Sequence, residues 1–293
     1  MNRILCIACL FVAFEMAIAQ QNSNYIHYMF NGILFNPAYA GSQDALNLTA
    51  LYRKQWWGIG GAPVTLSFGA HSPLKNKKIS VGVIVENEQL GIINHTRAEA
   101  VYAYRIKLSR GKLSFGLQAG ADVIKTDWRL IRTHDENDPN FLLAPQNKAI
   151  PVAGGGMYYY TSRFYIGLSA PRFFADRSVS FNSMILNTGA LISLSENTWL
   201  KPAMLIKSSP ATLPSVNAML AAYYKDVIGL GAGLTWKSSW MTFIDIKIND
   251  QLNFAYGFES ATSRIRTYTS GSHEVMLRYL FSYRINAVNA RYF

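Results

Sequence analysis

The side chains best suited to chemistry are five histidines: His27, His71, His95, His134 and His273. Metal or acid–base chemistry would need them near carboxylates at a productive spacing, such as two histidines one helical turn apart beside a glutamate. None has that spacing. His273 and Glu274 are adjacent, but neighbours along a strand point to opposite faces, so the pair makes a poor dyad. The run His134-Asp135-Glu136-Asn137-Asp138 could attract a divalent cation, although a solvated loop is the simpler reading. Gly154-Gly155-Gly156 lacks the strand–loop–helix context and the lysine of a phosphate cradle. It reads instead as a closely packed strand. A Ser-His-Asp triad assembles only in space, and nothing in the sequence favours one. Cys6 and Cys9 both lie near the N-terminus, so the rest of the chain has no thiolate nucleophile, disulfide or cysteine metal site. The residues therefore call for no cofactor, no metal and no catalytic centre.

The N-terminus reads as a secretory signal. Arg3 precedes an apolar run from Ile4 to Ala13, and Ala17-Ile18-Ala19 offers small residues for cleavage before Gln20. Both cysteines fall inside this signal, and Cys9 has too short an apolar run before it for a lipoprotein. Half of the residues are hydrophobic, yet no later stretch reaches the roughly 18 apolar residues of a spanning helix. Charged residues make up 15%, and aromatic residues 13%. Ordinary soluble domains carry about 25% charge. Charge poverty with many aromatics suits a surface that faces lipid. The formal net charge of +11 is scattered over turns and alternate strand positions. That distribution favours anionic lipid headgroups or acidic proteins, and argues against nucleic acid.

From about Ala45 onwards the side chains alternate with period two. Ala98, Ala100, Tyr102, Tyr104, Ile106 and Leu108 form one face of a strand; Arg97, Glu99, Val101, Ala103, Arg105 and Lys107 form the other. After Ser109-Arg110-Gly111 the next strand sets Leu113, Phe115, Leu117, Ala119, Ala121 and Val123 against Ser114, Gly116, Gln118, Gly120 and Asp122. Such strands reach the roughly 9–11 residues that a tilted strand needs to cross a bilayer. The polar faces, rich in Gly, Ser and Ala, suit a barrel interior. Tyr52, Trp56, Trp57, Trp199, Trp236 and Trp240 stand near strand ends, as interfacial girdles do.

The pattern predicts about fourteen strands, near 45–53, 63–71, 78–87, 95–108, 112–125, 151–161, 164–170, 184–195, 198–207, 214–225, 227–237, 239–248, 251–260 and 273–284. Connections after even strands are mostly short. Those after odd strands are often long, at 54–62, 88–94, 126–150, 171–183 and 261–272. Short periplasmic turns and longer outer loops mark outer-membrane barrels. In lipid every backbone polar group must be paired, so a spanning sheet must close. The expected fold is all-β: a closed antiparallel transmembrane β-barrel of outer-membrane type, with a soluble exported sandwich as the alternative. Residues 1–19 are then the signal peptide, 20–44 a periplasmic or plug segment, 45–284 the barrel and 285–293 a tail. Pro202 inside a strand pattern predicts a bulge. Trp128, Phe141, Leu142 and Leu143, with Phe173, Phe174 and Phe181, fall in two long outer loops. They would either offer a partner an apolar surface or fold inward over the lumen.

Several blocks resemble the PorP/SprF family of type IX secretion system membrane proteins. Phe35-Asn36-Pro37-Ala38-Tyr39-Ala40-Gly41 is similar to the family's opening motif. Arg53, Gln55, Trp56 and Gly58, then Gly61-Ala62-Pro63 and Thr65, resemble the next block. Gly271, His273, Glu274, Leu277, Tyr279 and Phe281 resemble the last strand, and Arg291-Tyr292-Phe293 the ending. The resemblance implies a non-enzymatic outer-membrane barrel of the secretion and gliding-motility apparatus. Its implied partners are secreted proteins with type IX C-terminal targeting domains and other secretion components. A passive channel for small solutes and a barrel enzyme acting on lipid or peptide remain the competing functions.

Overall fold

Alternation along the strands sorts the side chains into two environments, and that sorting bends the sheet into a ring. In the strand Ile93–Leu108, Arg97, Val101, Ala103 and Arg105 are buried, while Ala98, Ala100, Tyr102 and Tyr104 are exposed on the outside. The computed structural model describes residues 25–128, 147–174, 183–209 and 212–281. Signal residues 1–19, the 285–293 tail, the 134–138 cluster, and Phe141, Leu142, Leu143 and Phe181 lie outside them.

The strands are β1 Leu46–Lys54, β2 Val64–Pro73, β3 Ile79–Leu90, β4 Ile93–Leu108, β5 Gly111–Thr126, β6 Asn147–Tyr160, β7 Phe164–Phe174, β8 Met184–Ala190, β9 Ile192–Ser195, β10 Thr198–Ser209, β11 Thr212–Tyr224, β12 Ile228–Thr235, β13 Ser239–Lys247, β14 Leu252–Ala261 and β15 Ser272–Phe281. β8 and β9 share one position in the wall, which therefore has 14 strands. Each strand pairs antiparallel with its neighbours, and β15 returns to pair with β1 from Leu46↔Phe281 to Lys54↔His273. Closure leaves no open edge, as a lipid-embedded sheet requires.

Three local expectations need correction. The 88–94 loop shrinks to Gly91 and Ile92, because β3 and β4 keep pairing up to Leu90↔Ile93. Phe173 and Phe174 belong to strand β7 rather than to a loop. Pro202 carries no bulge: it stays in register with Leu220 of β11, and the β10–β11 shift comes later, between Lys207 and Ser209. The interruption falls instead on the other neighbour. β10 pairs with β8 from Ala203 onward and with β9 only up to Leu200. A residue without an N–H leaves a gap in the ladder there.

Of the aromatics assigned to girdles, Tyr52, Trp57, Trp236 and Trp240 lie exposed on the outer wall. Trp199 does not; it packs against the buried interior. Both ends of the barrel wall, Leu46 and Phe281, lie on the side of the short turns, which is the periplasmic side in such barrels.

Candidate functional site

The barrel interior is filled by the chain's own residues 25–44, nearly all of them buried. The segment runs downward. Tyr25 donates to Glu86 in the outer part of β3, and Asp44 meets Lys112 at the inner start of β5. Two short 3₁₀ turns, Gly32–Leu34 and Pro37–Tyr39, fold it compactly on the way. The turns matter because an extended segment would leave unpaired amides in the lumen.

The motif Phe35 to Gly41 forms the middle and lower part of this plug. Asn36 is fully buried and works in two directions. Its Oδ1 accepts from the Ala38 N–H at 2.9 Å, capping the second turn, and its Nδ2 donates to the Met157 carbonyl of β6 at 2.9 Å. Pro37 occupies the first position of that turn, where a missing N–H costs nothing. The Phe35 carbonyl accepts from Ser169 at 2.6 Å, and its ring meets Tyr25 edge-on. Tyr39 sets its ring edge-on against His71 and Tyr158. Ala38 lies directly on Gly116, where any Cβ would collide with the backbone of Pro37 and Ala38. Gly41 has φ of +71° and lies against Ser80, so both conformation and space exclude a side chain. Its N–H donates to His71 Nδ1 at 3.0 Å, which fixes His71 with that nitrogen unprotonated, and its carbonyl accepts from Arg105. Asn36→Ala should therefore cost about 2 kcal/mol of plug stability, from one lost cap and one orphaned buried carbonyl. Urea unfolding in detergent, followed by tryptophan fluorescence, measures it.

The second and third motif blocks meet at the barrel seam. Arg53 of β1 and Glu274 of β15 are direct cross-strand partners, both fully buried, with Nη1 to Oε2 at 3.2 Å. Arg53 also pairs with Glu259 of β14, which accepts from Ser239. Glu274 reaches into the plug as well. It accepts the backbone N–H of Ile26 at 3.0 Å and of His27 at 2.8 Å, and the His27 ring at 2.7 Å. One carboxylate thus holds both the closing strand pair and the top of the plug. His273, its neighbour, points outward as strand geometry demands, against Trp57, Phe258 and the Tyr256 hydroxyl. Gln55 and Pro63 pair through their backbones at the outer rim, and the Ala62 N–H donates to Ile59. Trp56 adopts φ of +46°, unusual for a bulky residue, and its N–H donates to Ser272. Gly58 stands exposed at φ of +101°.

Three further groups of inward contacts lie outside the motifs. The Phe30 ring packs 4.4 Å from the guanidinium of Arg278 and 5.2 Å from the Lys201 ammonium. Arg278 is held by both Asp245 oxygens at 3.0 Å. Above the plug, Arg97 pairs with Glu86 and Glu99, and Asp122 with His95 and Arg172. At the inner mouth Arg105 and Lys112 hold Asp44 at 2.7 and 3.0 Å. Burial opposes the charge of Asp44, but Lys112 and Arg105 outweigh it and hold the carboxyl below its ordinary value of 3.8. A depressed acid stabilises the fold above its unfolded pKa and loses that contribution as pH falls through its folded one. Amide protection from Gly41 to Ala45, corrected for intrinsic exchange, should hold down to pH 3.8 and fail only below it. Loss already near neutrality would contradict this latch.

The sequence sets Arg97, Glu99, Arg105 and Asp122 on inward faces, but it does not mark His27 and Phe30 as buried residues with wall partners, or Arg278, held by Asp245, as one of those partners. The signal that bears on the plug is glycine at inward wall positions. Gly69 and Gly82 make room for Ile33, Gly116 for Ala38, Gly156 and Gly167 for Asn36, and Gly257 for Ile26.

Closed wall, lipid-facing apolar exterior and filled polar interior define an outer-membrane β-barrel. The model of the type IX secretion system membrane protein PorP/SprF matches residues 17–279, so the chain belongs to that family. Curated protein sequences gave no match. Among solved structures, the outer membrane protein Omp33 of Acinetobacter baumannii is similar over 82% of this chain and 100% of its own, with 7% identity and a TM-score of 0.50. That likeness shows the barrel fold. The CymD monoaromatic hydrocarbon channel aligns over 87% of this chain and 93% of its own, with 13% identity and a TM-score of 0.48.

Proposed function

We propose that this barrel is a closed docking platform of the type IX secretion apparatus. It holds a secreted protein, or a component of the machinery, at its rims. The observation that carries this reading is the filled lumen: residues 26–41 are bound to β6, β10, β13 and β15 by hydrogen bonds and ring contacts, and Pro37 and Ala38 press on Gly116 of β5. A solute channel would need that volume open. The fully buried acid–imidazole pair is also committed to structure, since Glu274 binds both the His27 ring and two plug amides. This supports a non-enzymatic role. Within this reading residues 25–44 are a resident plug, and the partners are secreted proteins with type IX C-terminal targeting domains, including those of gliding motility. Affinity purification of the tagged barrel from outer membranes should recover such proteins or secretion components. Recovery of the barrel alone would overturn the reading.

A further inference from the structure

Three outer connections next to the seam form a joined cationic rim. They are 55–63 between β1 and β2, 236–238 between β12 and β13, and 262–271 between β14 and β15. Backbone hydrogen bonds tie them in pairs. Trp57 exchanges bonds with Gly271 and Ser270 at 2.7 and 2.9 Å, and Thr262 donates to Ser238 at 2.8 Å. These three connections contain no carboxylate. Lys237, Arg264 and Arg266 are exposed in them, and Lys54 stands at the end of β1 with its ammonium 4.9 Å from the Trp57 ring. The four cations make no ion pair among the described residues.

Directly below, the outer wall turns aromatic without a break. Trp57, His273, Phe258 and Trp240 follow one another with ring centroids 5.4 to 5.6 Å apart. Trp236 adds a further exposed ring at 65% exposure. A ligand that fits must therefore carry anionic groups above an apolar body. Proteins approaching from outside would meet the cations but not the girdle. A lipid of the outer leaflet meets both, because aromatic rings settle at the headgroup level and basic residues take the phosphates above them. Arginine pairs are suited to phosphate oxygens by their fork of donors.

We propose that Lys54, Lys237, Arg264 and Arg266, with Trp57 and Trp236 beside them, bind the phosphates of an outer-leaflet glycolipid of the lipid A type. The site lies on the wall beside the seam and does not depend on the docking reading above. Purified full-length barrel in detergent is mixed with bis-phosphorylated lipid A or with the same lipid dephosphorylated, and retained lipid is counted by native mass spectrometry. The parent should retain the phosphorylated form preferentially. Replacing Lys54, Lys237, Arg264 and Arg266 together by Gln should abolish that preference, with roughly a fivefold loss for each cation removed. Lys225→Gln, at the opposite end of the barrel, should leave it unchanged. Equal retention of both lipids by the parent overturns the site, whatever the variants do. So does a four-fold variant that binds lipid A as the parent does. If that same variant also loses co-purifying proteins, the rim is a protein surface instead.

Discussion

Glu274→Ala should be the most damaging single substitution in the barrel. The carboxylate is fully buried and serves Arg53, two plug amides and the His27 ring at once. Removing one partner of a buried ion pair costs about 3–5 kcal/mol, because the other charge stays buried with less compensation. Glu259 still contacts Arg53, which limits the loss on that side. Among the described residues the Ile26 and His27 amides donate to Glu274 alone, so the top of the plug should loosen along with the seam. Heating in detergent with electrophoretic separation of folded and unfolded barrel gives the first effect. Protease sensitivity near Tyr25 gives the second. A variant with native heat resistance and a protected plug would show that Glu274 is not the common tether.

Gly116→Leu should separate plug from wall. Gly116 sits in the middle of β5, where a Cβ meets the backbone of Pro37 and Ala38 rather than a movable side chain. Backbone cannot yield as a flexible side chain does, so overpacking here costs the 1–3 kcal/mol typical of well-filled interiors or more. The wall itself has a cheaper escape, because its strands are held by ladders on both sides and do not depend on the plug. The expected outcome is an intact barrel with a displaced segment. Liposome swelling should then report sugar entry through the variant and none through the parent. A variant that stays sealed would mean that the wall moves instead.

The fold was legible where one strand face meets lipid and the other meets the lumen. From Arg97 to Ile106 the alternation is uninterrupted, and the barrel wall follows from it. Legibility ended where both faces are polar. At the top of β3 and β4, Asn87, Asn94 and Thr96 hydrogen-bond across the outer face at 2.8 and 2.9 Å. Alternation fades there, although the ladder continues to Leu90↔Ile93, and that is why the 88–94 stretch reads as a loop. Pro202 misled for a related reason: the strand bearing it stays regular, and its missing N–H is felt by the neighbour, far away in sequence.

The site was less legible than the wall. Residues 25–44 have no periodicity, since their partners are spread over many strands, among them β3, β6, β7, β10 and β15. Arg53 and Glu274 could be singled out by resemblance, but their pairing depends on closure between β1 and β15 at the two ends of the barrel sequence. Asn36 is unremarkable as a residue type, and its importance comes from the Met157 carbonyl, which only the folded ring brings within 2.9 Å. Inward glycines were visible as a class, yet nothing in the sequence said which plug residue each would meet.

Electrical recording of the native full-length barrel in a planar bilayer tests the closed-platform account most directly. With residues 25–44 seated in the lumen, insertion should produce no steady current. A stable ohmic conductance from the unaltered chain would contradict the account and return the protein to the solute channels.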